Sequence, residues 1–105
     1  MPNQRLQKLT EMLHKQPHDA FLHYAIGMEH LGLQETTEAE NWFRKVLQLE
    51  PDNIAAHYQL ALVLHQKGNE KEAITLLEHG LSLAMDKGDL KTANEFKTAI
   101  EEIIY

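Results

Sequence analysis

The chain has 105 residues, of which 43% are hydrophobic and 25% charged, and its formal net charge is −6. These values are typical of one globular domain spanning residues 1–105. The acidic charge argues against nucleic acid and anionic membranes as partners, because both require a basic surface. The absence of cysteine excludes disulfides, thiolate metal sites and cysteine nucleophiles. With no apolar run of about 18 residues and no signal segment, we expect a cytoplasmic protein.

The first half of the chain predicts three helices. Residues 3–16 place Leu6, Leu9, Met12 and Leu13 on one face. Helices over 20–33 and 36–49 follow, capped by Asp19 and by Thr36 or Thr37 respectively. The turn between them has Gln34 in place of glycine, and we expect Gly32 to loosen the helix end. Trp42 is expected at an edge, with its indole partly exposed.

A pair of helices between Pro51 and Met85 carries the clearest pattern. Apolar residues recur at three- and four-residue steps before and after a break at Gly68-Asn69, where glycine favours a turn. Asn69 and Glu72 form an approximate capping box for the second helix. The two faces consist of Ile54, His57, Leu60, Ala61 and Leu64, then Ala73, Leu76, Leu77, Gly80, Leu81 and Ala84.

An internal repeat relates the two halves at an offset of about 34 residues, the period of one class of helix–turn–helix arrays. Six pairs follow this offset: Pro17 and Pro51, His23 and His57, Tyr24 and Tyr58, Glu38 and Glu72, Ala39 and Ala73, Leu49 and Leu83. With small residues at Gly27, Ala39, Ala61 and Ala73, the chain resembles the tetratricopeptide repeat family. The resemblance covers two full repeats, 20–53 and 54–87, with Met85 where a proline is usual.

The resemblance implies an all-α, right-handed solenoid of helical hairpins with about six antiparallel helices. Residues 3–16 then form a half-repeat that caps the N-terminal end. Residues 89–104 form a C-terminal capping helix, with Asp89 as its N-cap. Four polar residues of that last helix fall where the repeat offset places core positions: Lys91, Asn94, Glu95 and Thr98. We expect its inward residues to be Leu90, Ala93, Phe96, Ile100 and Ile103.

No catalytic motif is present, because the sequence has no glycine-rich phosphate loop, no Gly-x-Ser-x-Gly elbow and no histidine pair framing a glutamate. We therefore predict a protein that is not an enzyme and that needs no cofactor. Seven histidines are unusual for this length. We interpret His23, His30 and His57 as replacements for aromatic core residues, while a histidine metal site or pH sensor stays a weak alternative.

The resemblance also implies a concave groove that holds a partner peptide or helix, lined by the first helix of each repeat. The residues expected to project there as exposed side chains are Phe21, Tyr24, Met28, Leu31, Ala55, Tyr58, Leu62 and His65. One subclass of the family clamps a terminal carboxylate with lysine and asparagine. This chain has Tyr24, Met28, Gln59, Asp89 and Ala93 at the matching places, so we do not expect that mode.

The resulting hypothesis is a protein–protein interaction module, an adaptor or scaffold with a protein or peptide partner. The alternative is a structural homo-oligomerisation unit, in which the apolar ends, including the C-terminal helix, or the groove join two copies in a homodimer. Between Gln16 and Phe43 the chain has five acidic residues and neither lysine nor arginine. This segment either attracts a basic partner or is a solvated surface, and we favour the solvated surface.

Overall fold

A computed structural model describes residues 3–105, and among these residues it contains six α-helices and no strand. The all-α helical-hairpin class predicted from the sequence is confirmed. The helices are α1 (Gln4–Lys15), α2 (Ala20–Gly32), α3 (Thr36–Leu49), α4 (Ile54–Gln66), α5 (Glu70–Asp86) and α6 (Leu90–Ile104). The described residues divide into two compact units, residues 3–51 (unit 1) and 52–105 (unit 2). The predicted repeat boundaries and the capping roles of the end helices stay predictions.

Unit 1 is centred on the contact between α2 and α3. The Phe43 ring of α3 is fully buried and lies so close to Gly27 of α2 that a Cβ there would come within 2.7 Å of its Cε1 atom. Since only glycine permits this approach, Gly27 fixes the spacing of the two helices. Against this pair α1 contributes half-buried Leu6, Leu9 and Leu13, whereas Met12, expected on the same face, is 48% exposed.

Unit 2 repeats this arrangement between α5 and α6. A Cβ at Gly80 would lie 2.2 Å from Cε1 of Phe96, which is 1% exposed. The α4 helix supplies the largest share of the core, and its buried residues include His57, Leu60 and Leu64. Ala73 and Leu77 of α5 are fully buried, and α5 contacts both α4 and α6.

The inward face of α6 matches the sequence-based prediction except at Leu90 and Ala99. Ala93 and Phe96 are buried as expected, and Ile100 and Ile103 are half-buried. The prediction that Leu90 faces inward is wrong, because its side chain is 70% exposed. Ala99, absent from the predicted set, is buried instead. The inward face of α6 therefore includes residues 93, 96, 99, 100 and 103, and the Phe96 ring on this face lies against Gly80.

Three turns end their helices in the same way. Gln34, Gly68 and Gly88 all have positive φ, at 62°, 85° and 73°. In the first turn the Glu35 N–H donates to the His30 carbonyl over 2.9 Å, the hydrogen bond expected beyond a left-handed residue at a helix end. Gln34 thus makes the glycine-type turn itself, and Gly32 stays within α2.

The caps agree with the sequence at three of the four helices for which one was predicted. Asp19, Asn69 and Asp89 accept hydrogen bonds from the N–H groups of Leu22, Glu72 and Thr92 respectively. The prediction that Thr36 or Thr37 caps α3 is wrong, because the N-cap is Glu35, which makes no side-chain cap bond, and α3 begins at Thr36.

Candidate functional site

The α2 helix carries a row of apolar residues outside the core of unit 1. Phe21 is 72% exposed and Met28 is 36% exposed, while Tyr24 and Leu31 are half-buried. The Tyr24 ring packs against Phe43 with its centroid 5.7 Å away. This contact fixes one side of the tyrosine ring, so the ring is half-buried rather than the fully exposed group expected from the sequence.

The α4 helix repeats the row in unit 2. Ala55 is exposed, and Tyr58, Leu62 and His65 are half-buried. The Tyr58 ring meets Phe96 edge-on at 5.4 Å, so here too a tyrosine rests on the phenylalanine that packs on a glycine. The Nδ1 atom of His65 is buried and has no hydrogen-bond partner. The two rows lie in separate units, and their union in one groove stays a prediction.

A shallow depression of about 400 Å³ adjoins Tyr58. Its other walls are side chains of α6: Lys91, Asn94, Glu95 and Thr98. From the sequence, these four residues were expected only as departures from the repeat core, and they were not part of the predicted groove. The available signal was their own spacing, since steps of three and four residues put polar side chains on one face of a helix. They surround the tyrosine with donors, acceptors and charges of both signs.

Two histidines of the repeat are buried, as the sequence interpretation requires. His23 is 4% exposed and His57 is 2% exposed. Each ring donates its Nδ1–H over 2.8 Å to the backbone carbonyl four residues earlier, at Asp19 and Asn53 respectively. Burial lowers the pKa of His57 below its ordinary value of 6.5, the Asn53 carbonyl opposes this, and nearby His79 lowers the pKa further.

Trp42 lies at the edge of unit 1 with its indole half-exposed, as expected. The His30 ring stacks nearly parallel to the indole, with centroids 6.4 Å apart, and the His23 ring lies tilted at 5.6 Å. His30 also approaches Glu35, its Nδ1 atom 2.9 Å from Oε1. These contacts place His30 in the packing between α2 and the turn that follows it.

Most carboxylates of the acidic segment 16–43 are engaged within unit 1. Glu29 pairs with Arg5 over 2.9 Å, and Glu40 pairs with Arg44 over 2.8 Å. Asp19 caps α2 and Glu35 contacts His30. Arginines outside the segment thus balance part of its charge, which favours the reading of this surface as solvated and argues against a dedicated site for a basic partner.

Between residues 3 and 105, no group of three or more histidine, aspartate or glutamate side chains is arranged to hold a metal ion. No helix in that range is long and apolar enough to cross a membrane.

Comparisons with known proteins agree with this architecture. The protein O-mannosyl-transferase TMTC3 from Homo sapiens is 30% identical over 91 residues, a match that spans 80% of this chain and 10% of that protein. The chain therefore corresponds to about a tenth of the length of this relative. A tetratricopeptide repeat domain protein from Salinibacter ruber superposes with a TM-score of 0.76 at 25% identity, covering 83% of this chain and 88% of the other.

A second solved structure shows the same fold at lower identity. The Type III secretion translocator chaperone SycD from Yersinia enterocolitica gives a TM-score of 0.86 at 15% identity, over 93% of this chain and 68% of that chain. The sequence model of the tetratricopeptide repeat family matches residues 30–95, which is more than half of the chain. This protein belongs to the tetratricopeptide repeat family.

Proposed function

We propose that this protein is a non-enzymatic interaction module that binds a peptide or a helix of a partner protein on the apolar rows of α2 and α4. The observation that carries the proposal is that these rows stay outside the cores of their units, with Phe21 exposed by 72%. Large apolar residues that face solvent in a row are typical of binding surfaces. The family, whose members bind partner proteins, supports the same role.

The chemistry of the rows suits an apolar anchor from the partner. Tyr24 and Tyr58 are held by Phe43 and Phe96, so little side-chain entropy is lost when a ligand packs against them. Met28 and Leu62 offer adaptable apolar contact beside the two rings. The depression next to Tyr58 adds the polar groups of Lys91, Asn94 and their neighbours on α6, which can bond to a peptide backbone. Apolar anchors with a polar rim are the usual anatomy of such sites.

Charge insertion on the two rows tests the proposal. Phe21 and Ala55 are repeat-equivalent and both exposed, so Phe21→Glu with Ala55→Glu adds charge to the surface without altering either core. We expect this variant to lose about thirtyfold or more in affinity for a protein captured from the native host, because central anchors commonly contribute 2 kcal/mol or more.

The matched control is Leu33→Glu with Met85→Glu, which adds the same charge at residues 49% and 54% exposed outside the rows. Circular dichroism should show the same helicity for both variants. Unchanged capture by the Phe21/Ala55 variant would show that the rows do not bind the partner, and equal loss in both would indicate a general effect of charge.

Self-association is a second candidate function, favoured by the exposed apolar residues of unit 2. Leu90 is 70% exposed, Ile104 56% and Tyr105 99%. If these residues join two copies, the mass from light scattering rises with concentration, and Leu90→Glu with Ile104→Glu prevents the rise. A monomer mass at about 100 µM would exclude this function. A cytoplasmic location stays a prediction.

A further inference from the structure

Two buried histidines occupy equivalent places in the two units. His23 lies in the first turn of α2 and His57 in the first turn of α4, and both donate Nδ1–H to a backbone carbonyl over 2.8 Å. A carbonyl only accepts, so Nδ1 carries the proton of the neutral ring. In His57, Nε2 is therefore the nitrogen that takes up a second proton in acid.

The groups that face the two rings differ. Trp42 of α3 lies against His23, its ring centroid 5.6 Å away and tilted by 51°. At His57 the corresponding neighbour is the exposed His79 of α5, which meets the buried ring edge-on at 4.8 Å. The same imidazole thus faces an indole in unit 1 and a second imidazole in unit 2.

In unit 1, the groups near His23 are an indole and a carboxylate, and neither carries a positive charge. An indole attracts a cation within about 6 Å of its centroid, and the His23 ring is inside that range of Trp42. The carboxylate of Asp19 lies at the start of the same helix. On the far side of the cluster, His30 stacks on the indole and contacts Glu35, so a carboxylate is at hand for that ring too. From α1, Arg5 is occupied by Glu29.

In unit 2, the surroundings of His57 oppose a positive charge. The ring of His79, 4.8 Å away, lowers the pKa of His57 by electrostatic repulsion. Asp52, in the turn before α4, is the anion that acts in the other direction. The α6 helix brings Lys91 and Glu95 to Tyr58, and neither contributes to the shift at His57.

The lowered pKa of His57 makes the stability of the folded chain depend on pH. Burial first, and His79 after it, lower the pKa of His57 in the folded chain below its ordinary 6.5. The unfolded chain regains that ordinary value, so it binds more protons than the folded chain once the pH falls below it. The stability contributed by neutral His57 is therefore complete above 6.5 and is lost as the pH falls through the folded value.

We propose that the His57–His79 pair makes unit 2 the acid-sensitive unit of this protein, so that α4 and α5 open on mild acidification while α2 and α3 stay packed. Because α4 carries Tyr58 and Leu62, the opening of α4 in acid disrupts the apolar row of unit 2, one of the two proposed binding rows. That last consequence rests on the proposed function, whereas the opening itself does not.

Amide hydrogen exchange on the full chain tests the opening without any partner. Protection factors, corrected for the intrinsic rate, are compared at about pH 7.5 and about pH 5 for amides of α3 and α5. We expect protection in α5 to fall about tenfold more than in α3, because one unit opens while the other does not. Equal losses in the two helices would overturn the proposal.

Three variants assign the effect. His57→Phe keeps an aromatic ring without a titrating nitrogen and should abolish the selective loss in α5. His79→Gln changes an exposed side chain and should reduce the loss, because the repelling charge is gone. His23→Phe is the matched control and should leave the loss in α5 unchanged. A selective loss that persists undiminished in His79→Gln contradicts the proposal, whether or not His57→Phe folds.

Discussion

Three residues hold the left-handed backbone conformation that follows α2, α4 and α5, and one of them is not glycine. Gln34 has φ of 62°, close to the 85° of Gly68 and the 73° of Gly88. A residue with a Cβ pays roughly 1–2 kcal/mol for this conformation. The turn after α2 therefore stores strain that the other two turns avoid.

Replacing Gln34 by glycine should release this strain. We expect Gln34→Gly to raise the free energy of unfolding by about 0.5–1 kcal/mol, since the gain exceeds the extra chain entropy of glycine. The control is Gln48→Gly in the exposed face of α3, which should lower it by about 1 kcal/mol. Urea unfolding measures both, and a loss of stability in Gln34→Gly like that of the control would show that the turn is not strained.

The glycines within helices differ in what a side chain would meet. At Gly80 an added Cβ lies 2.2 Å from Phe96, whereas at Gly32 nothing lies within 4 Å. Gly80→Ala should therefore destabilise by about 1–3 kcal/mol, while Gly32→Ala should stabilise by about 0.4–1 kcal/mol.

Thermal unfolding of the two alanine variants provides the comparison. Combining Gly80→Ala with Phe96→Leu should recover part of the loss, because the smaller side chain leaves room for the methyl group. If Gly80→Ala is as stable as Gly32→Ala, the close contact between α5 and α6 is not present.

At the scale of the helices, the sequence predicts where elements begin and end better than how the last one packs. Apolar spacing and the turn at Gly68 are local signals, and the helices follow them closely. The close contact of Phe96 with Gly80 was not predicted, because the repeat offset does not pair these two residues. The sequence does contain a usable signal for this contact. Gly80 and Phe96 are separated by the same number of residues as Gly27 and Phe43.

The proposed binding surface could be predicted from the sequence only in part. Its rows on α2 and α4 follow from the repeat, and all eight residues lie outside the buried core. The packing of Tyr24 and Tyr58 on phenylalanines does not follow, because it depends on the exact rotation of neighbouring helices. The polar depression on α6 was missed for the same reason.

Two substitutions in α6 distinguish the observed inward face of this helix from the face predicted by sequence. Ala99 is 3% exposed, so Ala99→Gln should destabilise by about 1–3 kcal/mol through overpacking and an unpaired amide. Leu90 is 70% exposed, so Leu90→Gln should stay within about 0.5 kcal/mol of the parent. Chemical denaturation measures the stability of both variants. A larger loss in Leu90→Gln than in Ala99→Gln would support the inward face predicted from the sequence.

At the scale of the whole chain, each of two compact units buries its own core and presents one apolar row. In both units the tyrosine of the row packs on the core phenylalanine, so each tyrosine belongs both to the proposed binding row and to the packing of the core. Truncating Tyr24 or Tyr58 would therefore mix the two effects. Exposed Phe21 and Ala55 separate them, since neither belongs to a core.

The measurement that tests the binding account most directly is a map of backbone amide shifts on adding the binding segment of a captured partner to the labelled protein. The account predicts that the largest shifts lie in α2 and α4, around Tyr24 and Tyr58, and extend to Asn94 beside the depression. Shifts confined to α1, α3 or the outer face of α5, with the two rows unchanged, would contradict it.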